Sequence, residues 1–248
     1  MFSLATEITY YVRSFVRFLY PPYCAICQKV LSLDETHICY SCEKKITPIQ
    51  APCCRRCSHP LPAYGPSTVL CQSCRSNRPY FDRGFSLISY DDQSKEIFHQ
   101  AKFQKKPWLF DAFRVNVKKF SQDETMASYD MIIPVPLDSR REHDREFNQA
   151  DLIAHMLIRQ MGLKIPVKKL LKKNKITKPQ SQLHRLERLH NLKNAFSVRN
   201  SKSIQNKSVL LVDDIITTGS TLNECAKLLK EHGAARVDFF TLARAQTI

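Results

Sequence analysis

Two groups of residues in this sequence have the types and spacing to carry chemistry. The first is the run Val209-Leu210-Leu211-Val212-Asp213-Asp214-Ile215-Ile216-Thr217-Thr218-Gly219-Ser220-Thr221. Its four apolar residues read as a buried parallel strand, two acids stand at the strand's carboxyl end, and a Thr/Gly/Ser loop opens a helix. In an open α/β sheet that edge is where ligands bind. The loop amides and the helix N-terminus suit a phosphate, the hydroxyls of Thr217, Thr218, Ser220 and Thr221 add donors, and Gly219 permits a positive φ and close approach. Adjacent carboxylates facing that phosphate would repel it, so Asp213 and Asp214 are expected to address another part of the same ligand, and sugar hydroxyls fit. An ordinary helix cap accounts for Ser220 or Thr221 alone but leaves the acid pair without a purpose.

The second group is cysteine. Nine of the ten cysteines fall between Cys24 and Cys74, and eight form the knuckles Cys24-x2-Cys27, Cys39-x2-Cys42, Cys54-x2-Cys57 and Cys71-x2-Cys74. A two-residue gap turns both thiolates of a knuckle toward one ion, and two knuckles complete a tetrahedral four-thiolate site with no open position. Two structural zinc ions are therefore expected. The spacing leaves open which knuckles pair, whether Cys53, His37 or His59 replaces a cysteine, and whether an iron–sulfur cluster or a redox-active pair takes the place of zinc.

The formal charge of +15 is as localised as the cysteine. Between Arg159 and Lys207 there are 14 basic residues and one acid, Glu187, so this stretch alone carries +13. Such a patch suits a polyanion bound in a salt-dependent way, with Lys168, Lys169, Lys172, Lys173, Lys175, Lys178, Arg185 and Arg188 as candidate nucleic-acid contacts. A solvated basic face is the plainer alternative. Phe196 is the one aromatic residue in the stretch, so base stacking would have to come from elsewhere. The chain has no uncharged apolar run long enough to span a membrane, since Glu7, Arg13 and Arg17 interrupt its most apolar N-terminal stretch. That stretch also lacks the marks of a secretory signal, which points to a reducing, cytoplasmic setting.

The positioning elements follow from periodicity. Strands are predicted at Phe85–Tyr90, Asp130–Val135, Val209–Val212 and Ala235–Ala243; helices at Ser94–Phe103, Trp108–Phe120, Asn148–Met161 (stopped by Gly162) and Thr221–His232 (stopped by Gly233). Their alternation predicts an α/β fold with a parallel sheet. The fading of cysteine and proline near Tyr80 places a boundary there, giving an amphipathic N-terminal helix at 1–20, a cysteine-rich double zinc ribbon at 21–80 and the α/β domain at 81–248. In the first of these, Leu4, Ile8, Tyr11, Phe15 and Phe18 or Leu19 recur at helical spacing, and packing of that face against the ribbons is the expectation, with docking to the inner membrane or a partner as the alternative.

The Asp213–Thr221 segment resembles the phosphoribosyl-pyrophosphate (PRPP) motif of type I phosphoribosyltransferases. The chain from about Pro22 onward is similar to the ComF family of competence proteins, of the ComFC/GntX type. The match rests on the cysteine ribbons, on Pro134-Val135-Pro136-Leu137-Asp138-Ser139-Arg140-Arg141 running into Arg145-Glu146-Phe147-Asn148-Gln149-Ala150, and on Gln180-Ser181-Gln182-Leu183 through Arg185, Arg188 and Asn191 to Ala195-Phe196. The resemblance implies a phosphoribosyltransferase-like domain in which the acid pair holds ribose 2′- and 3′-hydroxyls and the loop holds a 5′-phosphate. It places a pyrophosphate loop at Pro134–Arg141, with Arg140 and Arg141 as its cations, Lys102 as a secondary candidate and Mg²⁺ accompanying pyrophosphate. It implies a protein that handles single-stranded DNA during natural transformation, with DNA-uptake proteins at the inner membrane as partners. The other implied function is transfer of phosphoribose from PRPP to a base or amine. This chain departs from the family where glycine is usual, carrying Glu146 before Phe147 and Gln28 and Ser58 after two knuckles.

Overall fold

The computed structural model describes residues 12, 14–62, 69–120, 128–174 and 195–245. Its centre is a four-stranded parallel sheet of β1 (Gly84–Ser89), β2 (Met131–Pro134), β5 (Ser208–Ile216) and β6 (Arg236–Arg244), in the order β1-β6-β5-β2. A separate antiparallel pair joins β3 (Leu171–Lys173) to β4 (Phe196–Val198). The helices are α1 (Tyr40–Glu43), α2 (Gln72–Asn77), α3 (Asp92–Phe103), α4 (Arg114–Phe120), α5 (Ser139–Arg145), α6 (Gln149–Met161) and α7 (Ser220–Glu231).

Why these elements form is readable locally. The Asp91 carboxylate caps α3 by accepting from the Ser94 amide at 3.0 Å, while Ser94 Oγ accepts from the Asp91 amide, so two otherwise unpaired donors are satisfied. Asn148 caps α6, and Gly162 ends it in a left-handed turn at φ 63°. The predicted helix over Trp108–Phe120 differs: Pro107–Phe113 is a 3₁₀ segment and only Arg114–Phe120 is α-helical. Pro107 occupies its first turn, and the Leu109 amide reaches the Lys106 carbonyl three residues back.

Alternation along β5 divides the core in two. Leu210 and Val212 face α3, the 3₁₀ segment, α4 and α6, whereas Val209 and Leu211 face α7, β3 and β4. The cysteine-rich module divides the same way. Cys24, Cys39 and Cys42 belong to the first layer; Cys54, Cys57, Cys71 and Cys74 belong to the second, with Phe81, Ile216 and Leu222. Between them the chain runs along the free edge of β1, where Ser89 donates to the Thr47 carbonyl at 2.8 Å and Ile49 donates to the Leu87 carbonyl at 2.9 Å. One ribbon thus packs on each face of the sheet, and their connection covers an edge that would otherwise present unpaired backbone groups.

Residues 1–11 and 13 of the N-terminal segment lie outside the described residues, and 14–19 are helical. The expectation that the apolar face packs on the ribbon is not met there: Phe15 and Phe18 are 63% and 82% exposed. Arg17 makes the attachment instead, donating to the carbonyls of Ser32 and Glu35.

Candidate functional site

The carboxyl ends of β5 and β2, the first turns of α5 and α7, and the β3–β4 pair enclose a cleft of about 310 Å³. Asp213, Asp214, Thr217, Gly219, Ser220 and Thr221 line it together with Arg141, Arg145, Lys102, Lys173, Gln149 and Tyr90. β5 continues past the predicted Val212 to Ile216, and its pairing with β6 through Ile216 and Arg244 fixes the backbone beneath the acid pair. The Asp213 carboxylate accepts from the Asp214 amide, and the Asp214 carboxylate from the Ile215 amide, each at 2.9 Å. The second Asp214 oxygen meets the Lys102 ammonium, with the two side chains 8% and 14% exposed. Burial, together with the Asp214 charge, pushes the Asp213 carboxyl well above the ordinary carboxylate range.

The loop after β5 is held by its own hydroxyls, since Thr218 Oγ1 and Ser220 Oγ lie 2.8 Å apart. Gly219 sits at φ 78° immediately before α7, and this left-handed backbone is what demands glycine there. Thr218 does not line the cleft; it faces a second cavity on the other side of the loop.

The Pro134–Arg141 segment is a loop only as far as Asp138. The Asp138 carboxylate, 2% exposed, accepts from the Arg141 amide at 3.0 Å and caps α5. On a helix Arg140 and Arg141 point about 100° apart, so only Arg141 reaches the cleft, and Arg140 is exposed outside it. The second cation is Arg145, four residues on and on the same face as Arg141. Burial lowers the Arg145 pKa against the opposing pull of Asp214, and its guanidinium sits 5.4 Å from the Phe103 ring centre. The i, i+4 spacing of two arginines was the signal for this residue, obscured by reading the segment as a loop. Lys173 also differs from its expected role. Its side chain is 9% exposed, its ammonium is 3.4 Å from Asp138, and it lines the cleft. Lys168, Lys169 and Lys172 are exposed, Lys169 pairing with Asp151 at 2.9 Å; Lys175, Lys178, Arg185 and Arg188 lie outside the described residues.

The cysteines form two clusters from consecutive knuckles, Cys24/Cys27/Cys39/Cys42 and Cys54/Cys57/Cys71/Cys74, with all sulfurs of a cluster within 4.8 Å of one another. A tetrahedron of Zn–S bonds near 2.3 Å has edges of about 3.8 Å. Cys27 Sγ to Cys39 Sγ is 3.7 Å and Cys57 Sγ to Cys71 Sγ is 3.6 Å, so the sulfur cages fit structural zinc and are far from disulfide length. Burial pushes the Cys24 thiol up, but amides of Cys27, Cys39 and Ile26 outweigh it and hold the pKa down at about 7. The Cys54 thiol is held far down by the thiols of Cys57 and Cys74, and Cys57 is pushed up to about 12. Cys53 is outside the cages and donates to the Gln50 carbonyl; His37 and His59 are in neither. Gln28, Ser58 and Glu146 all adopt left-handed backbone at φ 59°, 62° and 68°, the conformation that glycine takes without steric cost.

Residues 15–77 match the family model for a double zinc ribbon domain, and residues 150–247 match that for a phosphoribosyl transferase domain. Competence protein F of Haemophilus influenzae is 34% identical, the alignment covering 90% of this chain and 96% of that one. Competence protein ComFC of Bacillus subtilis is 29% identical over 90% of this chain and 95% of its own, and DNA utilization protein YhgH of Salmonella typhimurium 32% over 90% and 97%. Among the described residues no helix is long and apolar enough to cross a membrane.

Proposed function

The chain belongs to the ComF family of competence proteins, and on that footing we propose that it handles single-stranded DNA during DNA uptake and holds a PRPP-type ribose phosphate in the cleft. One observation carries the reading: the acid pair, the hydroxyl-lined loop at the start of α7 and four cations share one small cleft. The loop amides and the hydroxyls of Thr217, Ser220 and Thr221 take the 5′-phosphate, with the positive end of α7 behind them. Asp213 accepts from ribose hydroxyls, and Lys102 pairs with Asp214 beside it. Arg141, Arg145 and Lys173 face the other end of the ligand, where pyrophosphate charge would lie. Mg²⁺ arriving with pyrophosphate fits the hard oxygen donors of the acid pair and would neutralise charge there. The exposed Lys168, Lys169 and Lys172 supply the salt-sensitive attraction for a polyanion. Competence and DNA utilization in the relatives' names support this assignment, as does the α/β domain at 81–248 with its zinc module at 21–80. The setting this implies is cytoplasmic, next to uptake proteins at the inner membrane.

The cation cluster favours a second reading, transfer of phosphoribose to a nitrogen acceptor. There the acceptor–C1′ bond forms as the C1′–O bond to pyrophosphate breaks, the acceptor loses a proton, and Arg141 and Arg145 stabilise the leaving charge. Calorimetric titration with PRPP and Mg²⁺, and anisotropy with a fluorescent single strand across a salt series, test the proposal. Asp213→Asn with Asp214→Asn is expected to abolish PRPP binding, and charge reversal at Lys168, Lys169 and Lys172 to flatten the salt dependence. PRPP binding unaltered by the first pair, or strand binding unaltered by the second set, overturns the corresponding half. Pyrophosphate released from PRPP with a panel of nucleobases would establish the transferase.

A further inference from the structure

The loop between β5 and α7 has a cavity on each side. Behind it, opposite the cleft, a second space of about 570 Å³ lies between the second zinc ribbon and the start of α7. Ile216, Gly219 and Ser220 line both spaces, so the loop is a thin partition with its hydroxyls exposed to two sides. Asn77 of α2 and Asn223 of α7 stand in the wall of the second cavity, as does Arg244 from the end of β6.

Arg244 is the observation that points to a ligand. It is 8% exposed; one guanidinium nitrogen donates to the Cys57 carbonyl at 2.7 Å, and the buried Nε has no acceptor. Among the described residues no carboxylate pairs with it. A buried guanidinium nitrogen left without an acceptor is costly, and a ligand oxygen in this cavity would supply one.

A monoester phosphate on the loop needs space on one side only, for the sugar that continues into the cleft. A phosphodiester needs space on both. The Asp214 carboxylate is already engaged by Lys102, which leaves Asp213 as the acceptor for a sugar hydroxyl. A nucleotide with a diester on its 5′ side and one free sugar hydroxyl is the 3′-terminal nucleotide of a strand. We propose that the cleft and the cavity together capture the 3′ end of a single DNA strand: the terminal sugar on Asp213, its 5′-phosphodiester on the loop, and the penultimate nucleotide in the ribbon-side cavity near Arg244. A space of 570 Å³ is in the range of sites for molecules of nucleotide size, about 300 to 1,000 Å³. The inference rests on the reading of the cleft as a ribose-phosphate site.

The test uses the zinc-loaded full chain and a 5′-fluorescein twelve-residue oligothymidylate ending in either a 3′-hydroxyl or a 3′-phosphate, followed by anisotropy at fixed salt. A 3′-phosphate removes the donor to Asp213 and puts a bulkier group in the place of the hydroxyl, so binding is expected to weaken about tenfold or more. PRPP should displace the 3′-hydroxyl strand. Asn77→Trp, on the exposed end of α2, fills the cavity without altering charge; it is expected to erase the preference for the 3′-hydroxyl end while PRPP binds as before. Arg244→Lys is expected to weaken the hydroxyl-ended strand selectively. Equal affinity for the two ends in a protein that binds PRPP overturns the inference and leaves the cleft reading intact. A preference that survives Asn77→Trp overturns the placement of the penultimate nucleotide. Failure to bind PRPP overturns the cleft reading itself.

Discussion

Replacing Lys102 with methionine removes the ammonium that holds Asp214. The two side chains are 14% and 8% exposed, so the abandoned carboxylate has little access to water and also faces Asp213. Deleting one partner of a buried pair costs about 3 to 5 kcal/mol, because an uncompensated charge remains. At roughly 2 to 4 °C per kcal/mol for a chain of this size, the melting temperature is expected to fall by about 6 to 20 °C. Asp214→Asn should cost less, since asparagine keeps an oxygen for the Ile215 amide and Lys102 can extend toward solvent. The informative protein is the double variant. With neither charge present it is expected to recover most of the loss, giving a coupling of at least about 2 kcal/mol in the cycle. Trp108, the one tryptophan, lies in the 3₁₀ segment just beyond α3 and offers a fluorescence probe of this layer. Melting curves of the zinc-loaded single and double variants supply the measurement. Additive losses within about 0.5 kcal/mol would refute the buried pair. Repeating the melts with PRPP separates stability from binding. At one hundred times the dissociation constant a ligand stabilises by about 2.7 kcal/mol, and that increment is expected in wild type and absent from the recovered double variant.

Three further predictions follow from other parts of the molecule. Asp213 has its pKa raised in the fold by burial and the neighbouring acid, so the folded state binds more protons; its contribution to stability is full below about pH 4 and is lost as pH rises. The wild-type stability should therefore fall relative to Asp213→Asn as pH climbs above that value, while PRPP affinity rises; a pH-independent difference in denaturation midpoints refutes the assignment. Two zinc ions per chain are expected by elemental analysis, falling to one in Cys54→Ser with the first cage intact; a wild-type value near one refutes paired cages. Gln28 sits at φ 59°, so Gln28→Val should cost about 1 to 2 kcal/mol and Gln28→Gly should not, as read by melting temperature. Equal effects would show that the left-handed turn does not constrain this position.

Much of this protein was legible in one dimension because the relevant physics is local. The strand–acid–loop–helix order from Val209 to Thr221 places the acid pair and the loop hydroxyls at a sheet edge, where the structure has a cleft. Four two-residue knuckles likewise announce metal cages, and apolar periodicity finds the central strands. Pairing, facing and partnership are decided by distance in three dimensions. Consecutive knuckles close on one another because one cage packs on each face of the sheet, which spacing alone left open. The Asp138 cap converts an expected loop into a helix and thereby exchanges Arg140 for Arg145 in the cleft. Lys173 looks like its neighbours Lys168, Lys169 and Lys172 in sequence, but the β3–β4 pair turns it inward to Asp138. Arg244, 187 residues from Cys57 along the chain, becomes the wall of a second cavity only because β6 ends beside the second ribbon. The sequence determines which chemical groups exist and which lie on one turn of chain; tertiary packing decides which charges are buried together, and burial is what makes them partners.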